Sequence, residues 1–318
     1  MGQLNIVQRA WFKRETKYGG GDDGEDAGEE YAKKQPTEAD SLTPFNYVVS
    51  GDFKGKNIKK ERYTAPGIAI GSELVAISDV EYPEVTITYP LQTGLIAATL
   101  EFLKEGGVKG TKGTIGAQSY IIQVQTPDPT AATGNVLYNL YGCQLTEWSV
   151  TGSYDSEDVP LVTCKFTAYD VVLNTGAIQT KVYPTGVVYE WEDTSCTLDG
   201  DTFTELNSYT VTIVNKFSKP KVNANHSLVK IKPILIDKTS TAKIEFYLDA
   251  ADRLADIYLS ASYLYPLVWS DGISTLTITN MFTDDSNILT VDAKSVGLVK
   301  YSIDCKSGAS EYTCPAAA

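Results

Sequence analysis

Five cysteines, one histidine and a few acidic pairs are the residues of this chain whose types and spacing could do chemistry. Cys143, Cys164, Cys196, Cys305 and Cys314 stand 21, 32, 109 and 9 residues apart, with no Cys-X-X-Cys pair. That spacing excludes a standard zinc or iron–sulfur site. Cys143 and Cys164 flank the turn-like segment 151–160 and are candidates to face each other in a disulfide, while Cys305 and Cys314 are candidates to close a small terminal loop. The competing reading is five free thiols in a reducing compartment, with Cys164 filling the core.

The single histidine, His226, lies in Asn-Ala-Asn-His-Ser. One imidazole cannot build a two-histidine metal centre, and in that polar turn it reads as a surface residue. Lys109-Gly-Thr-Lys-Gly-Thr-Ile-Gly116 has a superficial likeness to a phosphate loop, but the Gly-Lys-Ser/Thr that holds phosphate and magnesium is missing. There is no Gly-X-Ser-X-Gly elbow for a hydrolytic nucleophile. Asp284 with Asp285, and Asp155 with Glu157, sit in turn-like stretches without an identifiable partner. No catalytic constellation results, and the expectation is a protein that is not an enzyme and that needs no cofactor or metal.

Charge narrows the partners. The 318 residues contain 27 Lys plus Arg and 40 Asp plus Glu, a net charge of −13. Residues 1–60 hold 10 basic and 10 acidic side chains, so the remainder, with 17 basic and 30 acidic, carries the whole deficit (17 − 30 = −13). Proteins that capture nucleic acid or anionic membranes do so through clustered cations, which argues against both roles. No stretch approaches the length of about 18 apolar residues needed for a transmembrane helix. The first 18 residues lack the apolar core of a secretory signal, so export by this chain alone is not expected. Asp22, Asp23, Glu25, Asp26, Glu29 and Glu30 follow three glycines and lack the calcium-loop register, which reads as a mobile, solvated loop over 19–40.

The elements that must position any site are mostly strands. Val85, Ile87 and Tyr89 alternate with Thr86 and Thr88, and Val162, Cys164, Phe166 and Ala168 alternate with Thr163, Lys165 and Thr167. Tyr209, Val211 and Ile213 repeat the pattern, as do Leu276 and Ile278 among threonines. Period two with β-branched outer residues predicts half-buried antiparallel strands. Two segments change to the helical period: Ile96, Thr99, Leu100 and Leu103, then Leu254, Ile257, Tyr258 and Ala261, the latter after Asp249 as N-cap.

Those two strand–helix units lie half a chain apart, since Ile96 to Leu254 is 158 residues of 318. The order of elements around each is the same, which predicts an internal duplication joined near Thr175 to Gly186. The expected organisation is an amino-terminal arm and first strand over 1–60, a first β unit over 61–180, and a second β unit with a carboxy-terminal arm over 181–318. The fold class expected is all-β with two short helices, as an antiparallel sandwich or barrel.

Several segments, taken in order, resemble one family. Glu15-Thr-Lys-Tyr-Gly19 is similar to the short opening stretch of tail tube proteins of long-tailed viruses of bacteria or archaea. Thr86-Ile-Thr-Tyr-Pro-Leu-Gln-Thr-Gly-Leu95 resembles that family's strand and Gly-Leu helix start, and Tyr141-Gly-Cys-Gln-Leu-Thr-Glu-Trp-Ser-Val150 its Gly-Cys strand. Val159 to Phe166 is similar to the hairpin mate of that strand, and Leu198-Asp-Gly200 with Leu206 to Asn215 to the Asp-Gly turn and Asn-ending strand. The order is collinear over residues 10 to 300. The chain departs from the family in its acidic 22–30 extension and in Lys-Phe-Ser-Lys-Pro after Asn215.

The resemblance implies a structural virion protein, assembled in the host cytoplasm, whose rings stack into a tail tube through which viral DNA leaves the capsid. It implies a homo-oligomer, other tail proteins at the tube ends, only transient passage of DNA, and no membrane partner. Two units per chain favour three chains in a pseudo-six-fold ring, with a hexamer of chains as the alternative. An acidic lumen would repel phosphate. A different class, a two-domain β-sandwich adhesin or glycan- or protein-binding module using the Tyr-rich loops, stands as the competing expectation, together with a less favoured two-carboxylate polysaccharide-acting enzyme.

Overall fold

The computed structural model describes residues 7, 9–15, 42–45, 48–55, 58–63, 74–92, 119–127, 135–154, 158–174, 187–203, 206–218, 221–224, 227–230, 234–247, 265–272, 275–283, 290–292, 300–307 and 312–313. The earlier strands are β1 (Arg9–Arg14), β2 (Thr43–Pro44), β3 (Ser50–Lys54), β4 (Ile58–Tyr63), β5 (Leu74–Val80), β6 (Glu84–Pro90), β7 (Tyr120–Pro127), β8 (Asn135–Ser153), β9 (Asp158–Thr167) and β10 (Asp170–Asn174). The later ones are β11 (Ser195–Leu198), β12 (Asp201–Thr202), β13 (Leu206–Ser218), β14 (Lys221–Ala224), β15 (Ser227–Lys230), β16 (Ile234–Tyr247), β17 (Tyr265–Ser270), β18 (Thr275–Thr283), β19 (Thr290–Asp292), β20 (Lys300–Ser307) and β21 (Tyr312–Thr313). A 3-10 turn, Trp191–Asp193, precedes β11. The protein is all-β and its strand pairs are antiparallel. Both segments expected to be helical, 96–103 and 254–261, lie outside the described residues.

The alternating segments form strands for the reason their pattern gave. In β6 the side chains of Val85, Ile87 and Tyr89 are buried while Glu84, Thr86 and Thr88 are only partly covered. Along β13, Tyr209, Val211 and Ile213 likewise point into the core. Cross-strand hydroxyl pairs finish the wet face, as between Thr88 and Thr163 at 3.0 Å. β8 and β9 form the hairpin expected around segment 151–160.

One sheet runs through both halves of the chain in the order β3, β6, β9, β8, β13, β16, β20, with β19 and the end of β18 beside β20. β8 belongs to two sheets: its first half pairs with β7 and β10, its second with β9 and β13. β1 and β2 extend the first of these side sheets, and β12, β11, β17, β18 and β21 make another. Aromatic rings fill the space between sheets. Phe12 lies 4.8 Å from Phe45, Phe45 lies 5.6 Å from Tyr89, and Trp148 meets Trp269 edge-on at 6.2 Å.

The pairings of the first half recur in the second. β1·β7 corresponds to β11·β17, β3·β6 to β13·β16, β4·β5 to β14·β15, and β6·β9 to β16·β20. β7·β8 corresponds to β17·β18, β8·β9 to β18·β20 continued by β19·β20, and β8·β10 to β18·β21. β1 and β3 fall within the segment assigned to an arm and first strand, and they pair with β7 and β6.

Candidate functional site

The long sheet has a covered face and an open one. The open face carries hydroxyls strand after strand: Thr86 and Thr88 on β6, Thr163 on β9, Ser149 and Thr151 on β8, Thr210 and Thr212 on β13. Charges on this face are close to balance. Asp52, Glu84, Glu147, Asp237, Glu245 and Asp304 stand with Lys54, Lys165, Lys216, Lys243 and Lys306. Neighbours neutralise one another: Lys243 Nζ lies 2.9 Å from Glu245 Oε1, whose other oxygen accepts the Ser208 hydroxyl at 2.8 Å, and Glu147 is directly opposite Lys165. Such a surface offers hydrogen bonds but no cluster of uncompensated cations.

The ends of this sheet are the second feature. Inside the chain, β8 and β13 pair from Glu147↔Val214 to Ser153↔Ser208, so the two halves share a seam of main-chain hydrogen bonds. Thr210 donates to Thr151 across it at 3.4 Å, and Tyr154 N–H bonds Asn207 C=O at 2.8 Å beyond its end. Among the described residues, β3 pairs with β6 alone and β19 with β20 alone. On its other side β3 takes one main-chain bond, from Val7 N–H to Gly51 C=O at 2.9 Å, and among the described residues neither strand has a second strand neighbour.

Compared with known proteins, the chain matches no family model and no curated protein. Geometry therefore carries the functional reading.

The residues that carried the family resemblance occupy structural positions that the sequence did not reveal. Glu15 is buried and its Oε1 accepts the Gly142 N–H at 2.9 Å, joining two segments 127 residues apart. Gly142 has φ +63°, where a side chain is strained, and it sits where β8 passes from one sheet to the other. Asn215, also buried, donates from Nδ2 to Leu145 C=O at 3.0 Å, beside the irregularity between Leu145 and Glu147. Asp199 and Gly200 both have positive φ, 54° and 91°, and form the two-residue hairpin turn between β11 and β12. These are devices of folding, with no catalytic geometry among them.

The candidate Cys143–Cys164 disulfide is not formed; both thiols are free and buried. β8 explains why. In the hairpin Trp148 stands opposite Cys164, five residues along the strand from Cys143, which pairs with Tyr120 of β7. The Cys143 thiol donates to Leu140 C=O at 3.4 Å, and the Cys164 sulfur lies 3.6 Å from the Tyr89 hydroxyl. Burial pushes the thiols of Cys164, Cys196 and Cys305 up to about 12, and burial together with the Glu15 carboxylate pushes Cys143 well up too. Cys305 is free, and Cys314 lies outside the described residues. So do His226, Asp284, Asp285, Asp155, Glu157, the 109–116 glycine loop and acidic residues 22–30. Among the described residues no group of three or more metal-binding side chains comes together.

Proposed function

We propose that this chain is a structural virion protein that self-assembles into stacked rings and forms the tail tube of a long-tailed virus. The observation that carries the reading is the sheet that runs through both halves of the chain by the β8·β13 seam and that, among the described residues, ends in β3 and β19 with no second strand neighbour. A duplicated β-sandwich unit would give such a chain two copies of one building block. Three chains supply six units, and closing them in a ring would join the two ends of the long sheet, where unpaired strands are an aggregation hazard.

In this reading the open face of the long sheet lines the bore. The side sheets cover its other face, so only the hydroxyl-bearing side remains for solvent. Passage of DNA requires a wall that does not hold phosphate. The resemblance implies an acidic wall; on this face hydroxyls and charges close to balance serve instead, and the net charge of −13 per chain adds repulsion at longer range. The proposed partners are further copies of the chain, other tail proteins at the tube ends, and DNA in transit.

Negative-stain microscopy of the purified chain at high concentration tests the proposal. Rings or tubes are expected. A population that stays monomeric across salt and pH would overturn it and return the chain to the binding-module class.

A further inference from the structure

We infer that Asp199 is a site of spontaneous main-chain modification, rearranging with Gly200 through a cyclic imide to isoaspartate, while the fold holds the similar step at Asp271 inert. The inference concerns covalent chemistry of the chain itself and does not depend on how copies assemble. The chain contains three Asp-Gly steps, at 23–24, 199–200 and 271–272, and the first lies outside the described residues. Asp-Gly is the reactive pair because glycine has no side chain to hinder the approach of its own nitrogen to the preceding carboxyl group. Surroundings separate the other two steps. Asp199 and Gly200 are both exposed, and a Cβ at Gly200 would have no neighbour within 4 Å. Gly200 N–H takes no partner among the described residues; the turn is tied down through Asp199 N–H, which donates to Pro266 C=O at 3.0 Å. Asp199 is also the one non-glycine residue among those described with positive φ, 54°, a conformation that the two-residue hairpin demands and that L residues adopt at a cost. Asp271 differs on each count. It is 2% exposed, it accepts from the Tyr189 hydroxyl, and the nitrogen that would attack it, Gly272 N–H, donates to Ser270 Oγ at 3.1 Å.

The reaction needs no co-reactant other than water. Gly200 N attacks Cγ of Asp199 in its acid form; the new N–Cγ bond replaces the Cγ–OH bond, and the hydroxyl leaves as water with the proton from nitrogen. Water then reopens the ring. Cleavage at N–Cγ restores aspartate, whereas cleavage between that nitrogen and the Asp199 main-chain carbonyl carbon leaves the chain running through Cγ, one methylene longer, with the free carboxylate on Cα. Ring closure requires the peptide after Asp199 to turn out of its left-handed conformation, which releases the cost held there and breaks no bond of Gly200 N–H. At Asp271 the same movement breaks the Gly272–Ser270 and Tyr189–Asp271 hydrogen bonds, enough to slow the reaction by at least about ten-fold. A lengthened main chain does not fit a two-residue turn, so isoaspartate at 199 would disturb the pairing of Thr197 with Thr202 and of Leu198 with Asp201.

Peptide mapping of the full chain, aged at neutral pH below its Tm, tests the assignment. Isoaspartate is counted by labelling with an isoaspartate-specific carboxyl methyltransferase and located by fragmentation mass spectrometry. Label at 199 is expected to accumulate at least about ten-fold faster than label at 271, and in urea the two rates should converge. Asp199→Glu, which would have to close a six-membered ring, should lose the label at 199. Asp199→Asn, with ammonia as the leaving group, should convert faster to aspartate and isoaspartate at the same position. Asparagine takes the same left-handed conformation, so this variant keeps the turn and the test survives a misfolded Asp199→Glu. A native chain in which 271 keeps pace with 199, or in which 199 stays unlabelled while the urea-unfolded chain reacts there, would overturn the assignment. Rates that remain ten-fold apart in urea would trace the difference to local sequence and overturn the protective role given to the fold at Asp271.

Discussion

Cys164 shows how completely this core seals a reactive group. Burial raises its thiol to about 12, so at pH 8 it is neutral and out of reach of reagents. A thiol reagent followed by mass spectrometry is therefore expected to leave Cys143, Cys164, Cys196 and Cys305 unlabelled in the native chain and to label all four in denaturant. The same shifts set an alkaline limit. A thiol whose folded value lies above its ordinary 9.0 stabilises the fold fully below that pH and loses the contribution as pH climbs towards 12. Tyr82, Tyr141, Tyr189 and Tyr209, raised chiefly by burial from 10.0 to about 12, act in the same direction. The urea midpoint should hold up to pH 9 and fall steadily above it; a flat profile to pH 11 would contradict this. At Gly152 the constraint is space, because a Cβ there would stand 2.8 Å from the Trp191 ring and 2.9 Å from that of Tyr209. Gly152→Val is expected to cost about 1–3 kcal/mol by overpacking, read as a fall in Tm.

Strand β8 is the element on which the architecture turns, since it pairs with β7, β9, β10 and β13. Its passage between sheets is held by the Glu15 carboxylate on Gly142 N–H. Glu15→Ala leaves that buried donor without its acceptor and should cost about 1–3 kcal/mol, whereas Glu15→Gln retains an acceptor and should cost less; chemical denaturation of the two variants separates them. Where a strand has one buried and one wet face, as β6 and β13 do, the sequence alternates and the element is legible. β1 is not: Ala10, Trp11 and Phe12 are buried in succession, so Arg9–Arg14 shows no period. The first half of β8 is obscured differently, by buried Asn139 and Gln144, which interrupt the apolar pattern. Register escapes a period-two reading altogether, because an irregularity such as that after Leu145 shifts partners without changing composition. Cys143 and Cys164 lie on neighbouring strands, as their positions about the turn suggest, but the register sets Trp148 opposite Cys164. The ends of the long sheet were hidden for the same reason: which strand lacks a second neighbour depends on pairing, and no local residue pattern records it.

At the scale of the whole molecule, charge and topology impose different conditions on assembly. In the proposed ring three chains would carry 3 × −13 = −39, so subunits would repel one another at long range. The Debye length falls from about 30 Å at 0.01 M salt to about 8 Å at 0.15 M, so added salt should promote assembly while short-range strand pairing stays unaffected. Sedimentation across that salt range checks the direction; assembly favoured by low salt would point to cation-driven contacts instead. The behaviour towards DNA follows from the same balance. A protein that holds duplex DNA releases counterions, and its affinity falls with salt by a log–log slope of about −0.9 per neutralised phosphate. The open face carries acids and lysines in near balance, with Lys54 beside Glu81 and Lys243 beside Glu245, and the chain as a whole is anionic, so few phosphates should be neutralised and the slope should be close to zero. Assembled tubes are therefore expected to leave the electrophoretic mobility of linear duplex DNA unchanged at 0.05 M salt, where any cationic surface would bind most tightly. Retardation that vanishes as salt rises would show an uncompensated basic surface and would remove the bore from the face proposed for it.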